Sequence, residues 1–134
     1  MSELNKQLVL AYVDAFNRGD LDGVCAFFSP GALVYGVLGW GTLEQIRPIW
    51  HDLMDCFRMN LSVESIIAEG DTVAVRFTER GTSLKRFRDG APPTGQSYEV
   101  TAMEWFVIKH NQIHRRWGAR DSASIMRQLG LPLQ

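Results

Sequence analysis

Apolar residues near the start of the chain recur three and four positions apart: Leu4, Leu8, Ala11, Tyr12, Ala15 and Phe16. That spacing predicts an amphipathic helix with one buried stripe. Gly19 suits a left-handed helix end, and Asp20 is placed to cap the next helix. Leu21, Val24, Phe27 and Phe28 predict a short second helix, stopped by Ser29-Pro30-Gly31. A brief strand follows, from Ala32 to Val37, and then a glycine-rich turn from Gly36 to Gly41. Thr42 and Gln45 have capping-box spacing at the start of a third helix. Its stripe is Ile46, Ile49, Trp50, Leu53, Met54 and Phe57, with Pro48 just past the first turn, where a slight bend is expected.

The second half of the chain changes period. Val73, Val75 and Phe77 alternate with Thr72, Ala74, Arg76 and Thr78, the two-residue repeat of a half-buried strand. Further strands are predicted from Tyr98 to Lys109 and from Gln112 to Ala119, joined by a tight hairpin at His110-Asn111. The basic segment Lys85 to Gln96 holds Gly90, Pro92, Pro93 and Gly95 and reads as a loop, either solvated or acting as a lid. Ser122 to Leu129 predicts a closing helix, ended by Gly130 and Pro132. Helices first and an antiparallel sheet afterwards make an α+β fold, and no repeat or composition break divides residues 1–134, so one domain is expected.

Composition narrows the function classes. The 134 residues are 46% hydrophobic and 22% charged, with a formal net charge of -1. Such a chain has a core but no broad attraction to nucleic acid or anionic membrane. No apolar run approaches the ~20 residues of a membrane span, and Met1 to Lys6 is too polar for a signal peptide. Cys25 and Cys56 are far apart in predicted helices, as in a reduced cytoplasmic protein. His51, His110 and His114 share no helical face with ligand spacing, so no metal site is expected.

The informative residues are polar ones at apolar positions. On the strand from Tyr98, one face carries Val100, Ala102, Glu104, Phe106 and Ile108, with Glu104 its only charge. A buried carboxylate needs a raised pKa or a partner, so Glu104 is either a general acid or oxyanion donor, or half of an ion pair with an arginine. Ile113, Arg115, Trp117, Ala119 and Asp121 share a face if the next strand keeps its register. Asp121 then fits two roles, a proton shuttle at the pocket mouth and the cap of the last helix. Tyr12 lies on the first buried stripe, where its hydroxyl either reaches a substrate carbonyl or is satisfied locally. Trp40, Trp50, Trp105 and Trp117 suit a site for a flat apolar ligand or a plain core. Glu79 keeps the alternation of Val73, Val75 and Phe77, as a bulge or a surface salt bridge also would.

The order of elements and several phrases resemble the nuclear transport factor 2-like superfamily, and within it the SnoaL-like polyketide cyclases and ketosteroid isomerase. The phrases are Tyr12-Val13-Asp14-Ala15-Phe16-Asn17-Arg18-Gly19-Asp20-Leu21-Asp22, Gly41 to Arg47, Ala68 to Arg76, Pro92-Pro93-Thr94-Gly95, then Ile113, Trp117, Asp121 and Gln128-Leu129-Gly130. The resemblance implies a cone-shaped, curved antiparallel sheet wrapped around three N-terminal helices, a short C-terminal helix and a homodimer. It matches Tyr12 to the isomerase's oxyanion-hole tyrosine and Glu104 to its protonated acid. The isomerase's shuttling aspartate falls near Tyr35, so steroid isomerisation is not expected. The acid/base aspartate of the cyclases matches Asp121. Many members carry histidine after Gly-Thr, whereas here Gly81-Thr82 is followed by Ser83. In the related limonene epoxide hydrolase an arginine matches Arg80, but Thr82 and Gly118 stand at its aspartate positions.

These readings together predict a cofactor-free acid/base enzyme acting next to a carbonyl, on a flat, mostly apolar, polyketide-like compound. Asp121, Glu104 and Tyr12 are its expected catalytic residues, and Tyr35, Trp40, Trp50, Phe57, Trp117 and Arg80 its expected substrate contacts. Two rivals belong to other classes: a carrier of small ligands without turnover, and a dimeric interaction domain using a face with Thr101, Met103, Trp105 and Val107.

Overall fold

Helix α1 (Ser2–Asn17) buries Leu8, Val9, Tyr12, Val13, Ala15 and Phe16 in a computed structural model that describes residues 2–36 and 39–132. The stripe is wider than the sequence spacing implies and turned from it, leaving Leu4 and Ala11 exposed. The cause is packing on several sides, since α1 lies against α2 (Leu21–Ala26) and two strands of the sheet. Asp20 caps α2, accepting from the Gly23 N–H at 2.9 Å. This helix ends two residues earlier than its apolar pattern implies. Phe28 instead opens strand β1 (Phe28–Gly36), and Ser29-Pro30-Gly31 lies inside that strand. Proline cannot donate to a ladder, and the pairing of β1 slips between Phe28 and Leu33.

The stretch expected as a glycine-rich turn holds a second short strand, β2 (Gly39–Thr42), paired with β1. Val37, expected to end the preceding strand, lies outside the described residues. Thr42 then starts α3 (Leu43–Phe57) with both capping-box hydrogen bonds, to and from Gln45. The helix runs through Pro48 and ends at Arg58 in the left-handed conformation.

Strands β3 (Asn60–Glu69), β4 (Thr72–Thr82), β5 (Ser97–Lys109) and β6 (Gln112–Arg120) follow, then α4 (Ser122–Leu129). His110 and Asn111 both have positive φ, as a two-residue hairpin between twisted strands requires. The six strands form one curved sheet in the order β2-β1-β6-β5-β4-β3, not closed into a barrel. Four of the neighbouring pairs are antiparallel, but β1 and β6 run parallel, so the sheet is mixed rather than antiparallel throughout. Parallel neighbours need a long crossover, and here α3 and four strands separate the two in sequence. The inner face of β4 and β5 packs on α1 and α3 and forms the core. No helix among the described residues is long and apolar enough to cross a membrane.

Candidate active site

Strand β5 alternates without interruption from exposed Ser97 to exposed Lys109, which turns Tyr98, Val100, Ala102, Glu104, Phe106 and Ile108 inward. Glu104 stands opposite Val75 on β4 and Gly118 on β6. Two residues before Gly118, on the same face, Arg116 reaches over the glycine and forms an ion pair with Glu104 Oε2. The two side chains are only 11% and 8% exposed. From below, α1 brings in Tyr12, which is fully buried. Among the described residues, three polar atoms of this cluster have no hydrogen-bond partner: Tyr12 Oη, Glu104 Oε1 and Arg116 Nε. Burial, and then the Glu104 carboxylate, push the Tyr12 phenol far above its ordinary pKa, with Arg116 pulling the other way. For Arg116 burial works against the cation, but Glu104 and Tyr12 outweigh it and hold the guanidinium charged. Its carbon lies 5.8 Å from the centre of the Trp50 ring, a cation–π arrangement.

A second cluster of the same composition lies on the same face. Glu79 of β4 is 2% exposed, and its Oε2 accepts from Tyr98 Oη at 2.5 Å and from Arg120 Nη2. Arg120 Nη2 also donates to Tyr98 Oη at 3.2 Å. Tyr98 stands opposite Gly81, and its ring lies where a side chain at Gly81 would be. Burial first, and Glu79 second, raise the Tyr98 pKa. Arg120 Nε is buried without a partner among the described residues.

Both ion pairs line a cavity of about 500 Å³, a size usual for a small-molecule site. Its other walls are largely apolar, with Ile46, Ile49 and Leu53 from α3 and Met126 from α4. The loop of residues 83–96 supplies one side. Phe87 packs on Phe57 with ring centres 5.5 Å apart, Lys85 pairs with Asp55 at 2.9 Å and Arg88 with Asp52 at 3.0 Å. The ends of the loop are clasped by hydrogen bonds from Ser83 N to Gln96 O and from Gly95 N to Ser83 O, both 2.9 Å.

The sequence profile described as SnoaL-like polyketide cyclase matches residues 6–129. The chain belongs to this family. Among solved structures it is similar to AclR from Streptomyces galilaeus, a candidate hydroxylase, at 27% identity and a TM-score of 0.87, covering 97% of this chain and 98% of that one. It is also similar to IdmH from Streptomyces antibioticus, a candidate polyketide cyclase, at 26% identity and a TM-score of 0.81, covering 94% and 98%. A further candidate cyclase from Xanthomonas campestris pv. campestris shares the fold at a TM-score of 0.88 and 22% identity, covering 96% and 98%. No curated protein matches the sequence.

As a SnoaL-like protein the chain brings together some of the residues that its sequence singles out and separates others. Tyr12 lies against Glu104 but behind the cavity wall, whereas Glu104, Trp50 and Phe57 line the cavity. The pairing of β6 slips between Ile113 and Arg115, so Arg116, Gly118 and Arg120 turn inward and Trp117 and Asp121 do not. A shift of one residue reverses every side chain that follows. Asp121 is exposed, accepts from the Ser124 N–H at 2.9 Å as the cap of α4, and is absent from the cavity wall. Tyr35, Trp40 and Trp117 stack on the outer face of the sheet, Tyr35 and Trp117 at 5.1 Å and nearly parallel. Arg80 also faces outward, pairing with Glu99 at 2.7 Å, because its neighbour Glu79 faces in. Ser83, which follows Gly81-Thr82, has its hydroxyl engaged by the Thr94 N–H at 3.0 Å. The residues that sequence reasoning missed are Tyr98, Arg116 and Arg120. Glu79 carried a signal, its place in the alternation of β4. Among the described residues no cluster of His, Cys, Asp and Glu is arranged to hold a metal ion.

Proposed function

We propose that this SnoaL-like protein is an acid/base enzyme acting at a carbon next to a carbonyl, with Glu104, Arg116 and Tyr12 as its catalytic residues. The observation that carries the reading is that Glu104 and Arg116, both on the cavity wall, leave Oε1 and Nε without partners among the described residues, with the buried Tyr12 Oη behind them likewise unpartnered. Buried polar groups without partners are rare in folded proteins, and a ligand that supplies both an acceptor and a proton satisfies them. Arg116 and the neutral Tyr12 phenol hold the carbonyl oxygen. Glu104 Oε1 takes the proton from the neighbouring carbon, and the enolate charge falls on the oxygen held by the two donors. In a ring closure the enolate carbon then attacks a second carbonyl of the same molecule, and the proton passes to that oxygen. The scheme calls on no cofactor. It gives Glu104 the role of base, since Oε2 is engaged by Arg116 and Oε1 is left as an acceptor, in place of the donor role that the isomerase resemblance implies. A flat, mostly apolar, polyketide-like ketone fits the walls.

The test needs no natural substrate. The wild-type protein is expected to exchange the protons beside the carbonyl of a bicyclic aromatic ketone such as α-tetralone for deuterium, followed by proton NMR in deuterium oxide. Glu104→Gln and Glu104→Ala should both lose about a hundredfold of that rate. A Gln variant that keeps it would give Glu104 the donor role instead. Tyr12→Phe, which leaves the ion pair in place, should lose about tenfold. One observation favours a second reading, a carrier without turnover: both buried carboxylates are already neutralised by arginines of their own sheet. Binding of the ketone with exchange no faster than in buffer would establish the carrier.

A further inference from the structure

We infer that Glu79 and Arg120, with Tyr98 holding Glu79 from behind the wall, form a second ligand-binding site in the same cavity, one that takes an adjacent hydroxyl and carbonyl of the ligand at the end away from Glu104. This rests on the cavity being a ligand site, as proposed above, and goes beyond it in assigning residues that the proton-transfer scheme leaves unused. The first support is chemical. Nothing in the fold requires a buried ion pair here, and a carboxylate and a guanidinium removed from water are held at a desolvation cost that a hydrophobic pair avoids. The second is the pattern of used and unused atoms. Both hydrogen bonds to Glu79 go to Oε2, and Oε1 accepts none among the described residues. Arg120 uses Nη2 alone, while its Nε is buried and unpartnered.

The site thus offers a donor and an acceptor side by side with no net charge. An anion would have to compete with Glu79 for Arg120. A neutral hydroxyl beside a carbonyl does not, because its oxygen accepts from Arg120 while its O–H donates to Glu79 Oε1. Tyr98, donating to Oε2 at 2.5 Å, fixes which carboxylate oxygen is left over.

Placement sets the shape of the ligand. Glu79 pairs in register with Val100, four residues along β5 from Glu104. That is about 13 Å of strand, so only an elongated molecule reaches both clusters. The walls between are apolar on the α3 side. The ligand class is therefore an extended, flat, neutral compound with an oxygen function at one end and a hydroxyl–carbonyl pair at the other.

Three probes test this by intrinsic tryptophan fluorescence or calorimetry: anthraquinone, its derivative with one hydroxyl beside a carbonyl, and its derivative with such a pair at each end. Wild-type protein should bind the one-pair and two-pair probes about tenfold more tightly than anthraquinone. The double variant Glu79→Leu/Arg120→Met, which replaces the ion pair by apolar side chains and so keeps the fold, should bind all three about equally while keeping wild-type affinity for anthraquinone. Tyr98→Phe, which deletes a single hydroxyl, should narrow the preference. A preference absent from the wild type, or undiminished in these variants, would overturn the inference and leave Glu79 and Arg120 as a structural ion pair. If no probe binds the wild-type protein, the reading of the cavity as a ligand site fails, and this inference fails with it.

Discussion

Arg116 owes its position to Gly118. A Cβ at residue 118 would stand 2.8 Å from the carbon and both terminal nitrogens of the Arg116 guanidinium, far inside contact distance. Gly118→Ala should therefore push the guanidinium away from Glu104 and leave the backbone of β6 as it is. Ketone proton exchange is expected to fall by about a hundredfold, the effect of losing one oxyanion donor. Stability should change far less, because the displaced group is the end of a flexible side chain. Exchange rates and a urea unfolding curve of the same variant check both halves.

Asp121 gives a contrasting prediction. Its side chain caps α4 and is absent from the cavity wall. Asp121→Ala should lower unfolding free energy by about 1 kcal/mol, as loss of an N-cap does. Proton exchange and probe affinity should stay at wild-type values. A folded but inactive Asp121→Ala protein would return this residue to the catalytic machinery.

Alkaline pH should destabilise the protein through Tyr12 and Tyr98. Both phenols are raised in the folded state, by burial first and by a neighbouring carboxylate second. In the unfolded chain they ionise near about pH 10. Above that pH the unfolded state releases protons that the folded state keeps, so stability is whole below about pH 10 and falls as pH rises further. The urea midpoint measured at successive alkaline pH values should show this fall, and Tyr98→Phe should make it shallower.

Homodimer formation, which the family resemblance implies, has a ready surface. Trp40, Tyr35, Trp117, Trp105, Ala74 and Ile67 follow one another in register across all six strands on the outer face. Trp40, Trp105, Trp117 and Ile67 are each among the exposed large hydrophobic residues. Sedimentation should give twice the mass of the chain, and Trp105→Arg should give the monomer with its proton exchange intact. A wild-type monomer would refute the dimer.

Much of this arrangement was legible in the sequence wherever a period ran unbroken. The alternation of β5 turns Glu104 inward, and the spacing of Ile46, Trp50 and Phe57 gives α3 its buried side. Thr42 with Gln45, and His110 with Asn111, mark a cap and a turn by local chemistry alone. What was hidden depends on pairing between strands. The slip after Ile113 is a property of how β6 meets β5, and it decides that Arg116 and Arg120, rather than Trp117 and Asp121, face the cavity. Strand β3 went unseen for a similar reason. It lies at the edge of the sheet, and its pairing shifts between Val63 and Ser65, so its burial follows no simple repeat. Glu79 kept the rhythm of its strand, but its partners come from β5 and β6.

The loop of residues 83–96 is fastened at its base by hydrogen bonds to Ser83 and at its tip by Lys85–Asp55 and Arg88–Asp52. The base is backbone and indifferent to salt, while the tip is held by solvent-exposed charges that salt screens. Salt should therefore loosen the tip of this cavity wall and leave its base in place.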